Sequence, residues 1–307
     1  MIKRVRHCNG PYSVNISVTE RCPLKCPICF HEYGKYYEME PQTVCGYIDE
    51  LALLGTKQVQ FSGGEPLVYP YLVEIIAYAQ KKGIRNVIST SGVGMTVEYV
   101  KRLEEVGLDC CNVSLNGSNA EIHKLTREGF QCSKKALEIL SLSGLTVAIN
   151  WVAYHENIED LPQLISLAKS FNVKYISVLS MKKNNVGMVC NPINKTDFDN
   201  LVQYCREFKG YLIVESCFHE LGTALKGGRF LGEGCRAGTF YMAINAKGDF
   251  MPCPHLIQTG GKYFSIKEYW NEDRELERYR ENKTCSLDYR ILENEDVNKA
   301  IWQEYTD

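Results

Sequence analysis

The first 215 residues predict an α/β fold built on a parallel sheet, followed by a smaller hairpin-plus-helix appendage. Three observations carry that prediction. Strand-like runs alternate strictly with amphipathic helical stretches, and parallel neighbours need such crossovers. Past Val214 the alternation stops and glycines crowd in, marking an irregular connection. A proline-flanked run of cysteines sits just after the first strand, at the carboxyl end where α/β sheets gather ligands.

In order, the expected strands are Ser13–Thr19, Gln58–Ser62, Asn86–Thr90, Cys110–Leu115, Thr146–Ala153 and Lys174–Leu179. Each has the β-branched and apolar content of a half-buried strand. Helical periodicity is expected over Pro41–Leu54, Tyr71–Lys82, Val97–Val106, Lys134–Leu142, Ile158–Phe171 and Lys195–Phe208. These six units suit an open (β/α)6 barrel or a doubly wound sheet. After the glycines at 222, 227, 228, 232, 234 and 238, Phe240–Asn245 and Asp249–Met251 read as a β-hairpin about Ala246-Lys247-Gly248. Ser265–Asn282 reads as helical, and Asn294–Tyr305 as a terminal helix. The division expected is 1–11 as an N-terminal segment, 12–215 as the core and 216–307 as the appendage.

Composition narrows the function classes. Basic and acidic residues nearly cancel, 35 against 37, so neither a nucleic-acid surface nor a polybasic membrane patch is indicated. No apolar run reaches membrane-spanning length, and Met1-Ile2-Lys3-Arg4 leads into no signal core, so a soluble cytoplasmic chain is expected. In a reducing compartment the 14 cysteines point to metal rather than disulfides.

The motif is Cys22-Pro23-Leu24-Lys25-Cys26-Pro27-Ile28-Cys29. Positions i, i+4 and i+7 would share one helix face, but prolines four apart break a helix there. Three thiolates from one loop can hold three corners of a [4Fe-4S] cube and leave the fourth iron open. After the second strand comes Ser62-Gly63-Gly64-Glu65-Pro66, whose glycines admit close backbone approach and whose carboxylate could receive an ammonium.

The cysteine spacing resembles the CxxxCxxC signature of the radical S-adenosylmethionine (SAM) superfamily, and Gly63-Gly64-Glu65-Pro66 resembles its GGEP motif. The resemblance implies a partial (β/α)6 barrel and a [4Fe-4S] cluster whose open iron chelates SAM. It further implies reductive cleavage of SAM to a 5′-deoxyadenosyl radical that abstracts a hydrogen atom, with electrons from a flavodoxin- or ferredoxin-type donor. Carried onto this chain, the SAM-binding residues would be Ile28, Gly63, Gly64, Glu65, Ser89, Ser91, Ser114, Asn116, Arg127 and Leu179, with Val178 beside the last. Arg127 would pair with the SAM carboxylate, a task suited to a permanently charged fork. Relatives carry an aromatic residue just before the third cysteine; here Ile28 would cover the adenine instead.

Cys235 and Cys253, in Gly248-x4-Cys253 spacing, with Cys285 beyond, resemble the shortened SPASM domain called twitch, which holds one auxiliary [4Fe-4S] cluster. The Cys-x2-Cys pair that usually completes such a site is absent, Asp288 standing at that spacing from Cys285. Three readings stay open: a remote ligand such as Cys217, His255 or Asp288, an open iron for substrate, or another metal such as zinc. Cys45, Cys111, Cys132 and Cys205 read as core thiols. Cys110 and Cys190 are weak candidates to return a hydrogen atom to a substrate radical, as epimerases of the family do. The histidines show no ligand spacing.

Enzymes of this build mostly modify ribosomally made peptides, so a peptide substrate is the first expectation; against it, little chain precedes the first strand, so a leader-peptide-binding domain would be a separate protein or dispensable. A small-molecule dehydrogenase or mutase acting on sugar-like alcohols is the alternative. A non-catalytic iron–sulfur protein is a third, against which the Gly63–Glu65 motif weighs. Sulfatase-maturing relatives carry an acid after the cysteine equivalent to Cys253; Pro254 stands here, so that base is not carried over.

Overall fold

The computed structural model describes residues 9–30, 36–182, 190–225, 235–256 and 263–281. Strands β1 (Ser13–Thr19), β2 (Gln58–Gly63), β3 (Arg85–Thr90), β4 (Cys110–Ser114), β5 (Thr146–Ala153) and β6 (Tyr175–Ser180) form a parallel run. The crossovers are α1 (Pro41–Leu53), α2 (Leu72–Lys81), α3 (Val97–Glu105), the pair α4 (Ala120–His123) and α5 (Phe130–Leu140), and α6 (Leu161–Ser170). After α7 (Lys195–Glu207), a short β7 (Leu212–Val214) extends the edge, and α8 (His219–Ala224) follows. The alternation predicted the parallel sheet, and the form is the partial barrel that the family resemblance implied.

Strand alternation gives the sheet two unlike faces. One is apolar and meets the helices: Val14, Ile16, Val18, Val59, Phe61, Ile88, Val113 and Ile176 lie in one core with Ile48 and Leu51 of α1 and Ile75 of α2. The other, inside the curve, is polar. Ser62 Oγ donates to Asn15 Oδ1 at 2.7 Å, and Gln60 Nε2 and Asn150 Nδ2 donate to Ser89 Oγ at 2.6 and 3.1 Å. Parallel strands covered on both faces are ordinarily apolar on both. A polar inner face is that of a lumen, and it directs polar ligands inward.

The hairpin joins this sheet. β8 (Tyr241–Ile244) pairs parallel with β1, Ser13 opposite Tyr241, and β9 (Phe250–Met251) returns antiparallel to it. Gly248, at φ +88°, makes the turn that Asn245 Oδ1 caps by accepting from the Lys247 and Asp249 amides. The single helix expected over Ser265–Asn282 is two, α9 (Ile266–Glu272) and α10 (Arg274–Glu281). Asp273 divides them: it turns extended, and its Oδ1 accepts from the Leu276 amide at 2.6 Å. Glu50 of α1 accepts from the Ile266 and Lys267 amides at 3.0 and 2.8 Å, fastening α9 to the barrel. Cys285, Asp288, His7, His31, the glycines at 227–234 and the expected terminal helix lie outside the described residues. No helix among the described residues is long and apolar enough to cross a membrane.

Candidate active site

The cysteine loop leaves the carboxyl end of β1 and is pinned where it starts. Gly64 and Glu65 amides donate to the Thr19 and Arg21 carbonyls at 2.7 and 2.8 Å. Gly63 stands at φ +138°, and a Cβ there would lie 2.1 Å from Thr19 O; at Gly64 it would lie 2.4 Å from Arg21 O. The bareness of both glycines therefore serves the approach of the loop. Glu38 closes the other side, accepting from Thr19 Oγ1 at 3.0 Å and from Arg21 Nε at 2.8 Å. Within the loop the Cys29 amide donates to Cys26 O at 3.0 Å, and Cys22, Cys26 and Cys29 are each half-buried. Burial pushes the Cys22 thiol up to about 11, a cost that coordination to a cation would reverse.

The Glu65 side chain is buried, 1% exposed, and held by the chain's own donors. Oε1 accepts from Thr90 Oγ1 at 2.6 Å and the Leu67 amide at 3.1 Å; Oε2 accepts from the Ser91 amide at 2.8 Å and Ser91 Oγ at 2.5 Å. Burial lifts its carboxyl above the usual range, and these donors pull it back in part. The group sutures β2 to β3, and Ser91 is spent on it.

Asn116 is likewise consumed, its Nδ2 donating to Thr126 Oγ1 at 2.9 Å and its Oδ1 accepting from the Val152 amide at 3.1 Å. Ser89 lies within the barrel under Gln60 and Asn150, and Ser114 stays half-buried at the end of β4. Arg127 differs from these. Its Nε is buried without a partner, as a cation kept for an incoming anion would be. Ile28 and Leu179, expected on either side of the adenine, share one apolar cluster with Val152, Tyr154, Met181 and Cys190. Val178, fully buried, belongs instead to the core shared with the helices.

The two thiol candidates separate. Cys110 opens β4, at the amino end of the strand, and is fully buried against Asn112 Oδ1 (3.3 Å) and Tyr175 Oη (3.7 Å). Four residues of strand, about 13 Å, lie between it and the mouth. Cys190 is at the mouth, beside Ile28 and Leu179, its Sγ 3.3 Å from Met181 Sδ and its thiol pushed up to about 12 by burial.

Sequence reasoning missed Glu215, just past β7. Its Oε1 accepts from Ser177 Oγ at 3.2 Å, and burial lifts its carboxyl. An acid closing a three-residue apolar run was the available signal. Burial, then the nearby Cys253, Cys217, Glu215 and Cys235, holds the Tyr241 hydroxyl well above its usual range, so these groups from separate elements share one neighbourhood. Phe30 of the cysteine loop packs edge-on against His255, ring centroids 4.4 Å apart, joining this neighbourhood to the first.

Among the described residues no three His, Cys, Asp or Glu side chains converge on a single-ion site. A four-iron cube holds its thiolates farther apart than one ion does. The donors present, three half-buried sulfurs and a buried Arg127 Nε without a partner, fit a cluster with an anionic cofactor.

Residues 16–168 match the family model described as Radical SAM superfamily. A PqqA peptide cyclase of Ruegeria pomeroyi is 33% identical over 175 residues, covering 55% of this chain and 47% of that protein, so the match spans about half of that relative. An AdoMet-dependent heme synthase of Methanosarcina barkeri is 24% identical over 299 residues, 89% of this chain and 86% of that protein. The crystal structure of Streptococcus suis SuiB bound to precursor peptide SuiA has the same fold, at TM-score 0.75 and 18% identity, covering 89% of this chain and 67% of that one.

Proposed function

This chain is a member of the radical SAM superfamily, and from that premise we propose that it modifies a peptide through a hydrogen atom abstracted by the radical that SAM cleavage supplies. The observation that carries the chemistry is the loop at the barrel mouth, where Cys22, Cys26 and Cys29 stand half-buried on a root clamped by Gly64, Glu65 and Glu38. When bound, a reduced [4Fe-4S] cluster with an open iron supplies one electron to SAM and yields the 5′-deoxyadenosyl radical. The chain's own residues would do the rest. Arg127 would balance the SAM carboxylate, Ile28 and Leu179 would flank the adenine, and the polar lumen would hold the substrate's polar groups. The apolar cluster around Ile28 excludes water from that side.

A peptide substrate is supported by the 33% identity to a peptide cyclase. A small-molecule substrate is the second reading, favoured by the heme synthase whose match runs over 89% of this chain. A non-catalytic role is set aside, since these relatives are enzymes. An auxiliary [4Fe-4S] cluster on Cys235, Cys253 and Cys285, in a twitch-like segment over 216–307, belongs to the same proposal. The test is anaerobic reconstitution with iron and sulfide, reduction with dithionite, and addition of SAM, alone and with peptides encoded beside the gene. Release of 5′-deoxyadenosine and a mass change confined to one peptide are expected. Iron-loaded protein that leaves SAM intact would overturn the proposal.

A further inference from the structure

The turn that follows α4 is held from beneath by buried groups. His123 is 1% exposed; its Nδ1 accepts from the Asn116 amide at 3.2 Å and its Nε2 faces Glu128 O, also at 3.2 Å. An amide only donates and a carbonyl only accepts, so the ring is neutral with its proton on Nε2. Burial keeps it so, lowering its pKa to about 4. It is a rigid strut between the end of β4 and the backbone of Glu128. Asn116 and Thr126, both fully buried, make a second strut beside it.

From above, the same turn touches the cysteine loop. The Glu128 carboxylate accepts from the Lys25 amide at 2.8 Å, Thr126 O accepts from the Ile28 amide at 3.1 Å, and the Glu128 amide donates to Cys26 Sγ at 3.4 Å. Gly129, at φ +81°, lets Leu24 pass, since a Cβ there would lie 3.0 Å from Leu24 Cδ1. Glu128 itself is exposed, so water competes for its contacts with the loop, while the strut below is dry. A hydrogen bond to a ligating sulfur stabilises the added electron and raises a cluster's potential.

Resting on the reading that Cys22, Cys26 and Cys29 hold an iron–sulfur cluster, we infer that His123 is a positioning residue for it. By fixing the turn, His123 aims the Glu128 amide at Cys26 Sγ and thereby sets how readily the cluster is reduced.

The test is a redox titration of reconstituted protein, followed through the EPR signal that changes when SAM is added, which reports the open-iron cluster alone. In His123→Leu, iron content should match wild type. The ratio of reduced to oxidised cluster at a fixed potential should fall about tenfold, a shift of about 59 mV for one electron. His123→Gln, whose amide can still accept and donate, should recover much of it. Glu128→Pro removes the donor itself while leaving His123 in place, and should shift the ratio in the same direction. If His123→Leu does not fold, Glu128→Pro decides. A folded, iron-loaded variant of either kind titrating like wild type overturns the inference. Wild-type protein that takes up no iron overturns the cluster reading and this one with it.

Discussion

The two thiol-bearing halves of the molecule are built in opposite ways. On one side the thiols come from a single loop, and hydrogen bonds from the end of β2, from Glu38 and from the Thr126–Gly129 turn hold it. On the other, Cys217, Cys235 and Cys253 come from segments apart in sequence and gather about Tyr241. Each half has one carboxylate whose pKa burial raises, Glu65 buried and Glu215 half-buried. Glu65 holds the hydroxyls of Thr90 and Ser91 and the amides of Leu67 and Ser91; Glu215 holds one side-chain donor, Ser177. The first half is assembled by the protein alone. In the second, thiols and a carboxylate from separate elements are brought together about Tyr241, which suits a region that meets a cofactor or a substrate.

The largest effect that sharpens this contrast is expected from alanine at Cys22, Cys26 and Cys29 together. Release of 5′-deoxyadenosine should fall by more than the ~100-fold that loss of an outer-shell partner costs a metal site. The apo fold should lose only about 1 kcal/mol, because the thiols are half-buried and the loop's clamps are backbone and Glu38. Collapse of the fold, read by circular dichroism, would mean that the loop is not independent of the core.

Next in size is alanine at Cys235 and Cys253. Iron per chain should drop by about half, the share of one of two like clusters. Uncoupled SAM cleavage should persist while product formation stops; Cys285→Ala should behave in the same way. Equal loss of cleavage in both sets of variants would erase the distinction between the halves, and Phe30 against His255 would then be the contact that couples them.

Local patterns were legible wherever one segment settled the matter. β1 and β5 fall on the expected residues because alternation over seven and eight positions leaves no other register. α5 begins at Phe130, four residues ahead of the expected Lys134, because Gly129 at φ +81° starts the helix. β7 has three residues, too few to alternate visibly. The motif at Gly63–Glu65 was visible, but not that its glycines face the Thr19–Arg21 backbone or that its acid turns inward. Asn116 was placed on the correct strand end, and the partners that consume it, Thr126 and Val152, are tertiary. His123 lacked any ligand spacing, and its two bonds depend on how the turn folds back.

The smallest effect concerns the two carboxylates and separates them by sign. Burial raises the folded pKa of Glu215 above its ordinary 4.5, opposed by Ser177. A raised folded pKa means that the native state holds the proton more tightly. Its contribution to stability is then full below 4.5 and lost as pH rises through the folded value, about 1.4 kcal/mol for each unit of the rise. Glu215→Gln carries no such charge, so its urea midpoint should match wild type at pH 4 and exceed it at pH 8. Glu65 is raised too, yet its replacement by Gln should not help. An amide offers one acceptor oxygen and turns its own donors toward the Leu67 and Ser91 amides or the hydroxyls beside them. Donors left unmet in a dry site cost about 1–3 kcal/mol. Glu65→Gln should therefore be weaker than wild type at both pH values. Parallel behaviour of the two variants would show that Glu215 is as fully held as Glu65, and the contrast between the two carboxylates would be lost.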